Sequence, residues 1–255
     1  MRSLSLFVDR NTVVHRIDPI TKLIYVFVSS ISPFILPLLT VSSAFVILNL
    51  FLLSLGRVIK RVIPIISFIF LIIITIFIIQ GMYYGGNQTE LFTVFSLTFY
   101  REGLFYATKI AVRTVNILLT FSLLILTTKP SNLIESLVRR GLPPKLGYVM
   151  HSVLQIIPMM SGTASVIMDA QKSRGMETEG SLWVRMKAFI PLIGPLVMNS
   201  LMSTHERSIA LEVRAFSADR EKTFLHEEHI PGGMVYLRVF CLLVLIGIIV
   251  GRIII

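Results

Sequence analysis

The chain has 255 residues, of which 54% are hydrophobic and 15% charged, and a mean hydropathy of +0.80. Soluble domains average about 25% charged residues, so the composition excludes an ordinary soluble domain and describes an integral membrane protein. The net charge of +10 sits beside apolar runs, as at Arg57, Lys60 and Arg61, which is how cytoplasmic loops are charged and not how a nucleic-acid surface is built.

Residues 1–18 are polar and basic, with no short apolar run and cleavage site, so no signal peptide is expected. Asp18 is a candidate N-cap and Pro19 suits the first helical position. From Leu23 to Gly56 there is no charge, a stretch too long for one span of about 20 residues. Pro33 and Pro37 are expected to break it into spans over 19–35 and 37–56. The basic residues at 57–61 then place this loop, and the N-terminus, in the cytoplasm. A third span is predicted over 62–80, an outer loop over 81–101, and a fourth span over 102–127. The fourth carries Lys109 and Arg113 one helical turn apart on one face. Such charges face a bundle interior, snorkel to the surface or contact a substrate. No carboxylate lies near them in that span, so a partner is elsewhere or is lipid.

From Thr128 to Ile230 apolar and charged residues mix without a clean 20-residue apolar run. A short helix is predicted from Ser131, ending at Arg139, Arg140 and Gly141 before Pro143 and Pro144. A long helix follows over 145–173, bent near Pro158. A short amphipathic piece over 181–190 holds Trp183, and a second long helix runs from Pro195 to Arg214. This region reads as a helical domain against the inner membrane face, although 145–160 and 188–202 are apolar enough to dip in. A last span is predicted over 234–251. The expected architecture is all-α: about five transmembrane helices plus a cytoplasmic helical domain. Its divisions are 1–128, 129–230 and 231–255.

Both long helices end alike. Ala170-Gln171-Lys172-Ser173-Arg174-Gly175 and Glu212-Val213-Arg214-Ala215-Phe216 each place one Arg before a tiny residue. A small residue lets the chain turn, and the guanidinium offers a planar five-donor fork to carboxylates and carbonyls. One such end is an ordinary surface cap. Two, on long Pro-led helices, suggest a pair of plugs for a partner. Ala215 disfavours a positive φ, so the second tip is expected to keep a right-handed conformation. Eight of the eleven methionines lie between Met150 and Met202. They suit either ordinary gap-filling or a deformable partner surface, and changes to Leu separate the two by being neutral or partner-selective.

Catalytic and metal signals are weak. His226-Glu227-Glu228-His229 has His spacing of three where a zinc protease needs four, and reads as a solvated loop. Cys241, the single cysteine, lies in an apolar run, which excludes a disulfide framework and a Cys-based metal site. There is no phosphate-binding G-x-x-x-x-G-K-[ST] loop and no G-x-S-x-G elbow. No catalytic, cofactor or metal residue is therefore assigned.

The motifs in order resemble a known family, the transmembrane T component of energy-coupling factor (ECF) transporters, the CbiQ-like proteins. Asp18-Pro19-x-Thr21-Lys22-Leu23 is similar to the family's Asp-Pro-Arg-Thr-Lys-Leu opening, with Ile20 for Arg. Thr127-Thr128-Lys129-Pro130 with Gly141-Leu142-Pro143 resembles the entry to the coupling domain. Ser173-Arg174-Gly175 and Val213-Arg214-Ala215 resemble two Ala-Arg-Gly motifs. The resemblance implies a non-catalytic scaffold in a prokaryotic cell membrane, with its coupling domain on the cytoplasmic side. It implies two ABC-type ATPases, which bind ATP and Mg, one on each Arg tip. It also implies a small membrane S component that captures a vitamin or metal ion. Two rivals stand beside it: the T component of a dedicated cobalt or nickel importer, and an intramembrane enzyme using His151, His205 or Lys109.

Overall fold

The computed structural model describes residues 7, 10, 12–94, 97–176, 181–218 and 233–254. In chain order the elements are α1 (Val13–Arg16), α2 (Pro19–Ile35), α3 (Leu39–Leu55), α4 (Ile59–Tyr83), β1 (Glu90–Val94), β2 (Leu97–Tyr100), α5 (Arg101–Thr127), α6 (Pro130–Val138), α7 (Pro144–Ser173), α8 (Leu182–Val213) and α9 (Gly233–Ile254). The fold is that of a helical membrane protein. Helices α5, α7 and α9 are each long and apolar enough to cross a membrane, as is α4 when its segments Ile59–Ser67 and Ile69–Tyr83, bent by 41°, count as one span. Helices α2 and α3 are apolar but have 17 residues each, about 25 Å of rise against a hydrocarbon core of about 30 Å. Length and composition do not separate α7 from a span, because no Asp, Glu, Lys or Arg falls between Lys145 and Asp169.

The chain forms two compact units: it leaves the first after Ser136 and returns to it with α9. One is organised on α5, which packs on α2, α3 and α4, while α9 packs on α2. Its apolar core is Leu53, Val58, Val62, Leu119, Leu123 and Leu126, with Val14 of α1 added from the N-terminal side. At Gly103 the α4 and α5 backbones come so close that a Cβ would lie 2.3 Å from the Gln80 carbonyl oxygen. The other unit holds α7 and α8, which pack on each other.

Three local expectations change. Pro33 does not break the first apolar run; it is buried inside α2, and the break falls at residues 36–38. Proline removes the N–H that would bond the carbonyl four residues back, here Ser29. Asn116 of α5 supplies the missing donor, with Nδ2 donating to that carbonyl at 2.7 Å. The loop over 81–101 contains an antiparallel hairpin, β1 paired with β2 through Phe92↔Phe99, Thr93↔Thr98 and Val94↔Leu97. Its aromatic and β-branched residues favour a pleated surface, and the Phe92 and Phe99 rings stack with centroids 5.0 Å apart. The piece over 181–190 and the second long helix are one helix, α8, which runs through Pro191 and Pro195. Both prolines are exposed, and each removes one ladder hydrogen bond from the helix.

Candidate functional site

Two sites gather the residues singled out in the sequence. The first is at the start of α2. Asp18 caps the helix: its Oδ2 accepts from Thr21 N and from Thr21 Oγ1, both at 3.2 Å, with Pro19 in the first turn. The same oxygen accepts from Arg238 Nη2 of α9 at 2.5 Å, and Arg238 Nε donates to Thr21 Oγ1 at 2.8 Å. The Asp18 N–H points at Met234 Sδ, 3.2 Å away. One helical turn on, Lys22 is buried and its Nζ donates to the Thr127 carbonyl at 2.9 Å. Thr127 is the last residue of α5, where carbonyls lack helical partners and the dipole favours a cation. Asp18, Pro19 and Lys22 thus bind α2 to the end of α5 and the start of α9. Arg238 was missed by sequence reasoning. Its one signal was a lone cation at the head of an otherwise apolar span, and such charges are paired.

The second site is the pair of helix ends. At the end of α7, Met176 N donates to Gln171 O at 3.1 Å and Gly175 N to Lys172 O at 2.9 Å. At the end of α8, Phe216 N donates to Leu211 O at 3.0 Å and Ala215 N to Glu212 O at 2.9 Å. Each is the two-bond cap that closes a helix on a left-handed residue. Gly175 has φ +85° and Ala215 φ +56°, so the expected right-handed second tip is corrected. The two bonds hold Ala215 in the left-handed region despite its Cβ, and Phe216, the residue after it, packs its ring against Tyr148 of α7, centroids 5.4 Å apart. Ser173, Arg174, Gly175, Val213, Arg214 and Ala215 are all exposed, Val213 at 82%. Among the described residues neither the Arg174 nor the Arg214 guanidinium has a hydrogen-bond or ion-pair partner. Two guanidinium forks are therefore offered outward by one backbone geometry. The α6 end repeats the cap at Arg140-Gly141, where Gly141 N bonds Val138 O and Leu142 N bonds Leu137 O.

Behind the tips, α7 and α8 carry exposed apolar side chains, among them Val153, Ile157, Met159, Ile193, Met198 and Met202. Where the two helices pack, Arg207 Nη1 donates to Gln155 Oε1 at 3.4 Å, and Nη2 lies 3.6 Å from Met159 Sδ. His151 and His205 are exposed on these helices. The segment His226–His229 lies outside the described residues.

The family model described as "Cobalt transport protein", CbiQ, matches residues 10–224. The chain belongs to the CbiQ family. Curated relatives agree with this membership. The energy-coupling factor transporter transmembrane protein EcfT of Bacillus selenitireducens is 31% identical over 240 residues, covering 88% of this chain and 87% of the relative. The protein of the same name from Staphylococcus aureus is 31% identical over 229 residues, covering 84% and 83%. That of Macrococcus caseolyticus is 30% identical over 234 residues, 86% of each chain. Within this CbiQ-family chain, the matched span takes in both the α2 cap and the two helix tips.

Proposed function

We propose that the chain is the T component of an ECF-type importer: a non-catalytic scaffold in a prokaryotic cell membrane, with α7 and α8 on the cytoplasmic side. Two ABC-type ATPases hydrolyse ATP and each takes one tip, Ser173-Arg174-Gly175 or Val213-Arg214-Ala215. A small membrane S component carries the vitamin or other micronutrient and rests on the apolar, Met-rich faces. The observation that carries this reading is the repetition of one cap, with an exposed Arg before a left-handed residue, on two long helices of one unit. A rigid helix transmits displacement along its axis, and a charge-assisted Arg bond resists being pulled free. Two anchors engaged together add avidity. The relatives' names, energy-coupling factor transporter transmembrane protein, support an ECF transporter component. The cobalt description of the family model favours a dedicated metal importer as the second reading.

The test is co-purification of two ATPases with the wild type, Arg174→Ala, Arg214→Ala and the double variant. It is paired with ATP-dependent uptake of a panel of B vitamins, cobalt and nickel. Each single change is expected to cost about 2–5 kcal/mol of ATPase binding, the cost of truncating one partner of a buried charged contact. The double change is expected to release the ATPases and abolish uptake. Retention of both with neither Arg present makes the tips ordinary caps and ends the proposal.

A further inference from the structure

Charge inside the spans is accounted for at Asp18, Lys22 and Arg238, but not on the outer half of α5. Lys109 and Arg113 are half-buried there, one turn apart. Lys109 Nζ lies 4.7 Å from the centroid of the Phe105 ring, and the Arg113 guanidinium 5.4 Å from that of Phe34 in α2. Both phenylalanines are more than half exposed, so the half-buried cations border the lateral surface of the bundle. Among the described residues neither has a carboxylate partner, and Arg113 Nε is shielded without an acceptor. Cation–π contact offsets only part of the cost of a charge in hydrocarbon.

The depth of the pair points to its counter-charge. Lys109 is about 12 Å along the helix from Arg101 and about 27 Å from Thr127, at 1.5 Å per residue. Helical side chains lean toward the N-terminus, so both heads reach toward the hairpin end, as the placement of Lys109 over Phe105 shows. Lys109 is thereby carried toward the headgroup end of the span, and Arg113, about 18 Å from Arg101 at its Cα, snorkels toward the same layer. The residue after Lys109, Ile110, closes a largely apolar groove of about 280 Å³ against Ile72, Thr75, Ile76, Ile79 and Gln80 of α4. Cations that snorkel toward a headgroup layer, on the helix that also walls a largely apolar groove, are complementary to a phosphate that carries an acyl chain.

We propose that Lys109 and Arg113 bind the phosphate of an anionic glycerophospholipid in the leaflet at the hairpin end, with one acyl chain in the α4–α5 groove. The full chain is placed in phosphatidylcholine vesicles doped with phosphatidylglycerol, extracted gently, and its retained lipids are counted by native mass spectrometry. Wild type retains phosphatidylglycerol over phosphatidylcholine. K109Q/R113Q loses that preference by about tenfold or more, the scale of two basic residues beside an anionic lipid surface. K109R/R113K keeps the charge and the preference, which separates lipid binding from misfolding. Equal retention of the two lipids by wild type overturns the proposal, as does an unchanged preference in K109Q/R113Q. Loss of a membrane partner subunit with the lipid kept also overturns it, because the cations then face a protein carboxylate.

Discussion

The two units handle polar groups in opposite ways. In the unit of α2, α3, α5 and α9, polar side chains are buried and bonded to one another across helices. Asn49 Nδ2 reaches Thr120 Oγ1 at 2.7 Å and Asn116 Oδ1 at 2.9 Å, Tyr25 Oη donates to Asn49 Oδ1 at 2.8 Å, and Ser29 Oγ is 3.0 Å from Thr120 Oγ1. In the unit of α7 and α8, the Arg groups stand exposed at the tips and the apolar residues are exposed along the flanks. Of the α7 residues only Gly147 is buried. Directional bonds in a low-dielectric core fix one arrangement of helices. Two long helices with open apolar flanks are stable only against lipid or another protein. The first unit is built as a frame, and the second as a pair of arms.

Variants of the frame should therefore lower thermal stability in detergent and spare the proposed ATPase capture, whereas tip variants should do the reverse. The largest frame effect is expected for Asp18→Ala. It leaves Arg238 without its carboxylate and α2 without its cap, a loss of about 3–5 kcal/mol on the scale of broken buried pairs. Asp18→Asn, which keeps a capping oxygen, should lose less. An unchanged melting temperature in both would mean that the α2–α9 pair does not hold the frame.

Gly103→Ala should follow, at about 1–3 kcal/mol as for overpacking, because the new methyl group meets the Gln80 carbonyl, a backbone atom that cannot swing aside. A wild-type melting curve for this variant would place no close approach between α4 and α5. The next effect is conditional. Asn116→Leu strands the Ser29 carbonyl and removes an acceptor of Asn49 Nδ2, and should cost about 1–2 kcal/mol, the scale of two interhelical bonds in a membrane. In a Pro33→Ala background the helix regains its own donor, so the same change should cost less. Equal costs in both backgrounds would break the link between Pro33 and Asn116.

The smallest effect falls on an arm. Ala215→Gly removes a Cβ from a left-handed position and should stabilise the unit of α7 and α8 by about 1 kcal/mol, with ATPase capture intact. Destabilisation would show that the Ala215 methyl group makes a contact worth more than the strain.

Much of this was legible in residue order. The apolar runs gave α2, α3, α4, α5 and α9 to within a few residues, because burial in hydrocarbon acts on every residue of a span. Asp18 and Pro19 announced the start of α2, since a cap is satisfied by neighbours in the chain. Arg174-Gly175 announced the end of α7 in the same way. The hairpin was hidden by its position between Gly85-Gly86 and Arg101, although the aromatic and β-branched residues of Glu90–Tyr100 carried its signal. Ala215 misled because local preference is worth about as much as one cap bond, and the α8 end makes two.

Sequence alone determined which segments are helical and apolar, where α2 is capped, and that two long helices end in Arg before a small residue. Tertiary structure decided which distant groups meet. Arg238 finds Asp18 across 220 positions, Asn116 takes the carbonyl that Pro33 releases, and Lys22 meets the end of α5. Capping and periodicity act within one or two helical turns and are written in neighbouring residues. Pairing across helices depends on how those helices pack, which only the assembled bundle fixes.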